Sequence, residues 1–144
     1  MFKYQPYELA LSSRLVDVVK AHSIDVLHVH YAIPHAYAAY MAKKMLLDED
    51  ISIPIVTTLH GTDITLVGSH PFYRPAVTFS INHSDCVTAV SESLKQDTRV
   101  LVEISRAARV LAQQKLADAR QGAAQQDAAL QEAAVARKAE RSPV

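Results

Sequence analysis

The sequence predicts an α/β chain in which a parallel sheet with flanking helices is followed by a long alanine-rich helix. Three observations carry this reading. Short β-favouring runs alternate with stretches of helical period over the first 98 residues, polar residues gather where those runs end, and the composition changes abruptly beyond residue 98.

Each element follows from local chemistry. Pro6 suits a first helical turn, and Leu11, Leu15, Val18, Val19 and His22 recur at helical spacing, so a first amphipathic helix is expected through about His22. Asp25 to His30 is a short β-favouring run, and Pro34 opens an alanine- and methionine-rich helix through about Leu47. After Pro54, Ile55-Val56-Thr57-Thr58-Leu59 is almost wholly β-branched, which suits a strand buried on both faces, and it stops at His60-Gly61-Thr62-Asp63. A third helix is expected within Pro71–His83 and a third strand at Cys86–Val90. Ser91 then stands where a side-chain oxygen caps a helix, with Glu92 favourable in its first turn. The order strand, helix, strand, helix, strand implies parallel strands with right-handed crossovers.

The chain has 144 residues, 15 Lys+Arg against 15 Asp+Glu, and one cysteine. The neutral total hides two unlike segments. Residues 1–98 hold all nine aromatics, all seven histidines and five of six prolines, with a net charge of −3, whereas residues 99–144 hold 13 alanines, six glutamines and a net charge of +3. A clustered basic excess suited to nucleic acid is missing. Cys86 has no internal disulfide partner and begins an apolar strand, so it is expected to be a buried thiol in a reducing cytoplasm. No apolar run has the length of a membrane span, and no signal-peptide layout opens the chain. Beyond Leu116 large apolar residues dwindle to Leu130 and Val135, too few for a coiled-coil seam. A continuous helix from Ser91 toward residue 140 is nonetheless favoured by alanine, glutamine and arginine.

Ligands of parallel sheets collect at the carboxyl ends of the strands. That rule brings Tyr31, His35, Thr58 and His60 toward one pocket and places Ser91 at the third strand end. Each also has a structural role available: Gly61 for a positive backbone angle, Asp63 as a cap, and Tyr37 and Tyr40 as amphipathic core residues. His28, His30, His35 and His60 are metal-ligand types, but no carboxylate or cysteine stands at ligand spacing, so no metal is expected. Glycines at 61, 68 and 122 alone leave no glycine-rich phosphate loop of either common spacing, and no nucleophile elbow is present. No bound cofactor is therefore expected.

Three blocks in order resemble glycosyltransferase family 4: Leu27-His28-Val29-His30-Tyr31-Ala32-Ile33-Pro34-His35-Ala36, then Val56-Thr57-Thr58-Leu59-His60-Gly61-Thr62-Asp63, then Ser84-Asp85-Cys86-Val87-Thr88-Ala89-Val90-Ser91-Glu92-Ser93-Leu94. The resemblance covers about residues 1–98. It implies part of the Rossmann-like N-terminal, acceptor-side domain of a GT-B enzyme, with residues 99–144 an extension unlike the family. Within the family the likeness is to members that transfer N-acetylglucosamine from UDP-N-acetylglucosamine to L-malate in bacillithiol biosynthesis, retaining anomeric configuration. It implies that Tyr31 and Thr58 bind malate and that His60 is the catalytic group beside the transferred sugar, with Gly61, Thr62, Asp63 and Ser91 lining the substrate site. Some relatives carry an arginine where this chain has Thr78; Arg74, one turn earlier, is the substitute candidate for a carboxylate. The family's opening strand, its glycine-containing loop and its donor domain have no counterpart in these residues. The chain is accordingly expected to be inactive alone, the other expectation being a non-catalytic ligand-binding or interaction module.

Overall fold

The structure, a computed structural model, describes residues 6–140. Residues 1–5 and 141–144, at the outer ends of the two expected segments, lie outside the described residues. Helix α1 spans Tyr7–His22, with Pro6 just ahead of it, Glu8 in its first turn and Lys20 and His22 in its last, which complements the helix dipole. It ends at Ser23, whose φ of 51° is left-handed and whose N–H closes onto Val19. Strand β1 is Leu27–His30, two residues shorter at its start than expected, because pairing with the next strand begins at Leu27. An irregular turn, Ala32–Ala36, broken by extended Ile33, then leads into α2, Tyr37–Leu47. Pro34 therefore opens the turn before the helix.

Strand β2, Ile55–Leu59, is followed by a wide turn at Asp63–Val67 and by α3, Arg74–Asn82, with proline in its first turn. Strand β3 is Cys86–Ala89 and α4 is Glu92–Glu140. Ser91 caps α4 as expected, its Oγ accepting the Leu94 N–H at 3.2 Å. The strands form one parallel sheet in the order β1-β2-β3, in which His30, Thr58 and Thr88 lie side by side.

That register fixes two faces. Leu27, Val29, Ile55, Thr57, Leu59, Val87 and Ala89 share one face and pack against apolar residues of α1, α2, α3 and the first turns of α4. His28, His30, Val56, Thr58, His60, Cys86 and Thr88 share the other. Two expectations are corrected here. β2 is buried on one face only, with Val56 and Thr58 half-buried, because the packed helices cover just the opposite side. Its β-branched composition reports strand preference rather than two-sided burial. Cys86 is exposed for the same reason, since its parity puts it beside Val56 and away from the core.

The chain divides into two compact units, one ending at Ser105 and one beginning at Arg106, and α4 contributes to both. In the second unit Val110, Leu111, Leu116 and Leu130 are all exposed. No helix among the described residues is long and apolar enough to cross a membrane.

Candidate functional site

Parallel pairing places the ends of β1 and β2 together, and the side chains there form one connected polar set. Tyr31 N–H donates to Thr58 O at 2.9 Å, extending the ladder one residue beyond β1. The Tyr31 ring then stands 4.8 Å from the His60 ring and 6.3 Å from that of His35. His30 Nδ1 and His60 Nε2 are 2.7 Å apart, so one of these nitrogens carries the shared proton and the other accepts it. His28 stacks on His30 with ring centres 5.1 Å apart and places Nε2 2.9 Å from Thr58 Oγ1. Thr88 Oγ1 approaches the same hydroxyl at 2.8 Å.

These contacts define what remains for a ligand. A threonine hydroxyl has one donor and two acceptor positions; His28 and Thr88 occupy two, leaving Thr58 a third. His60 has Nε2 committed to His30, so Nδ1 is the nitrogen available to a ligand. His35 is held differently. Its Nδ1–H donates to the His30 carbonyl at 2.8 Å, which in the neutral ring leaves Nε2 to accept the Tyr7 hydroxyl at 3.3 Å. At the ends of β1 and β2 the structure thus brings the Tyr31, His35 and His60 rings together and ties Thr58 to the Tyr31 backbone.

The other expected site residues have separate placements. Gly61 supplies a φ of 119°, which lets the chain leave β2 sharply. Thr62 is exposed. Asp63 is only 2% exposed, and its oxygens accept three backbone N–H groups, so the structure moves it out of the ligand-facing set. Ser91 spends its oxygen on the α4 cap. Arg74 donates from Nε to Gly68 O at 3.3 Å and from Nη2 to Ser69 O at 2.8 Å, holding the turn before α3. Thr78 is buried and bonds back to Arg74 O within its helix.

His28, His30 and Thr88 were not singled out as ligand-site residues from sequence, yet they orient Thr58 and His60. The available signal was parity: His28 and His30 alternate on one strand as Thr58 and His60 do across the end of the next. No group of three or more His, Cys, Asp or Glu among the described residues is arranged to hold a metal ion. An apolar groove of about 370 Å³ lies elsewhere, lined by Glu8, Leu9, Ile33, Pro34, Tyr37, Tyr73 and Ala76.

The family described as Glycosyltransferase Family 4 matches residues 1–111, which include every one of these strand-end side chains. The chain belongs to glycosyltransferase family 4. Its similarity to an N-acetyl-alpha-D-glucosaminyl L-malate synthase of Bacillus anthracis is 52% identity over 103 residues, 72% of this chain and 26% of that protein. It is also 29% identical over 79 residues to an uncharacterized glycosyltransferase of Methanocaldococcus jannaschii, covering 55% of this chain and 21% of the relative. The chain thus spans about a quarter of the length of the curated relatives it matches. In family 4 terms, the matched part is an α/β sheet with its polar groups at the carboxyl edge, where parallel sheets bind ligands.

Proposed function

We propose that this chain forms the acceptor-side part of a retaining glycosyltransferase that moves N-acetylglucosamine from UDP-N-acetylglucosamine to L-malate, a step of bacillithiol biosynthesis. The observation that carries the proposal is the 52% identity to the Bacillus anthracis N-acetyl-alpha-D-glucosaminyl L-malate synthase over most of the chain. The strand-end cluster supports it chemically. In the transfer, the malate hydroxyl oxygen bonds to the anomeric carbon as the bond to the diphosphate breaks, UDP leaves with the electron pair, and the hydroxyl proton passes to the departing diphosphate.

Tyr31 and the unspent position on Thr58 supply hydroxyls that orient malate. His60, held by His30, offers Nδ1 beside the reacting sugar. A rigid donor or acceptor there stabilises developing charge without reorganising when the reaction occurs. The buried face of β2 and the Tyr31–Thr58 backbone bond provide that rigidity. With glycine only at positions 61, 68 and 122, these 144 residues carry no glycine-rich phosphate loop of either common spacing. They are accordingly proposed to bind the acceptor and to lack transferase activity by themselves.

Titration calorimetry of the chain with L-malate tests the reading. Heat of binding that disappears in Tyr31→Phe and Thr58→Val supports the acceptor site, and a folded wild-type chain giving no heat overturns it. A parallel assay with UDP-N-acetylglucosamine and malate is expected to show no product; turnover by the chain alone refutes its inactivity.

A further inference from the structure

Asp63 is a carboxylate almost wholly removed from solvent, at 2% exposure, and none of the ion pairs among the described residues includes it. Burial without a cation is costly unless other groups replace water around the oxygens. Here backbone amides do so. Oδ1 accepts the N–H of Gly61 at 3.0 Å and of His60 at 3.3 Å, and Oδ2 accepts the N–H of Ala32 at 3.2 Å.

The three donors belong to two different loops. Gly61 and His60 leave β2, while Ala32 follows Tyr31 at the end of β1. Both loops carry unusual backbone: Gly61 has φ of 119°, and Tyr31 has φ of 74° with ψ of 141°, a conformation that side-chain-bearing residues rarely adopt. Such a conformation persists only where its surroundings hold it. Tyr31 is held on one side by its own N–H on Thr58 O and on the other by the Ala32 N–H on Asp63. Ala32 is fully buried, so without Asp63 its N–H is left unpaired away from water. Three donors also explain the residue type. A carboxylate offers two acceptor oxygens, whereas asparagine offers one and turns an amide N–H toward another donor.

We infer that Asp63 is a positioning residue, whose carboxylate locks the Tyr31 turn and the His60–Gly61 turn to one another and so sets the distance between the Tyr31 and His60 rings. Its functional weight rests on the reading of Tyr31 and His60 as ligand-facing; the lock itself does not.

The test uses the whole chain labelled with nitrogen-15. In the wild type, the Ala32 and Gly61 amide protons are expected to exchange slowly with solvent; fast exchange of both in the folded chain overturns the inference. In Asp63→Ala, the imidazole nitrogen signals of His30 and His60 are expected to shift as their mutual bond loosens, while those of His22, His70 and His83 stay in place. Asp63→Asn, nearly the same shape, is expected to change them in the same direction by a smaller amount. Asp85→Ala removes a carboxylate from backbone amides at the other ends of the strands and controls for general destabilisation; it is expected to leave His30 and His60 unchanged. Unchanged His30 and His60 signals in folded Asp63 variants, or equal changes in Asp85→Ala, overturn the inference. Malate titration then separates the two claims. About tenfold weaker binding by Asp63→Asn is expected, whereas a wild type that ignores malate, with the histidine shifts still seen in the Asp63 variants, retains the lock and loses the acceptor reading.

Discussion

Ile55 and Asp85 exchange two hydrogen bonds where β2 and β3 begin: Asp85 N–H donates to Ile55 O at 2.9 Å, and Ile55 N–H donates to Asp85 Oδ2 at 2.7 Å. Lys43 Nζ from α2 adds bonds of 2.9 and 2.7 Å to the two carboxylate oxygens. Together, Lys43 first and the Ile55 amide second, they hold the Asp85 carboxyl below its usual range. A carboxyl depressed in the folded state stabilises the fold above its unfolded pKa, and that contribution is lost as pH falls through the folded value. Thermal midpoints should therefore drop as pH falls from about 5 toward 3, and Asp85→Asn should flatten part of that slope. With Asp85 and Lys43 partly exposed, solvent screens the ion pair, and Asp85→Ala at neutral pH should cost only about 1 kcal/mol, chiefly for the lost Ile55 bond. Equal slopes for wild type and Asp85→Asn would remove this explanation.

Two glycines separate strain from crowding. A Cβ at Gly61 meets nothing within 4 Å, but φ there is 119°. At Gly68 the backbone is ordinary, yet a Cβ lies 2.9 Å from the carbonyl oxygens of Asp63 and Ile64 and from Leu101 Cδ2. Gly61→Ala should cost about 1–2 kcal/mol through backbone conformation alone, and Gly68→Ala about 1–3 kcal/mol through overpacking. Urea unfolding measures both. The two should also differ at the site: Gly61→Ala alters the His60 imidazole signal and Gly68→Ala leaves it near its wild-type position.

The same contrast shows what was legible in the sequence. Strand and helix positions were, because apolar periodicity and the prolines at 6, 34, 54 and 71 act locally. The Ser91 cap and the left-handed Gly61 were also readable, since each needs only its neighbours in the chain. Two-sided burial of β2 was not, because burial depends on which face the helices choose, and Val56 and Thr58 look the same in sequence whether covered or bare. The role of Asp63 was half legible: its contacts to Gly61 and His60 are local, whereas its bond to Ala32 bridges 31 residues and appears only once β1 and β2 pair. His30 and His60 meet through the same pairing.

The corrected placement of Cys86 has a chemical outcome. Its thiol lies on the bare sheet face beside Val56, with solvent access in the folded chain. A thiol reagent added to the native chain should label one cysteine per chain without denaturant, at a rate within about tenfold of that in urea, because access rather than unfolding controls the reaction. Protection that disappears only on unfolding would mean that the face is covered in solution.

That bare face also bears on how the chain behaves on heating. Parallel sheets are ordinarily covered on both faces, yet here His28, His30, Cys86 and Thr88 are exposed on one, and β1 and β3 are both edges of the sheet among the described residues. Val26, just before β1, and Val90, just after β3, are 44% and 60% exposed, so each edge ends in apolar surface. Unpaired N–H and C=O groups beside such residues template association with another chain. Heating should therefore give a broad transition with rising light scattering, increasing with protein concentration. Val26→Lys and Val90→Lys place charge at the two edges without touching the packed face, and together they should lower scattering at a given temperature while leaving the circular dichroism spectrum unchanged. A sharp, reversible transition of a monomer, independent of concentration, would show that these edges are protected and that the exposed face is stable as it stands.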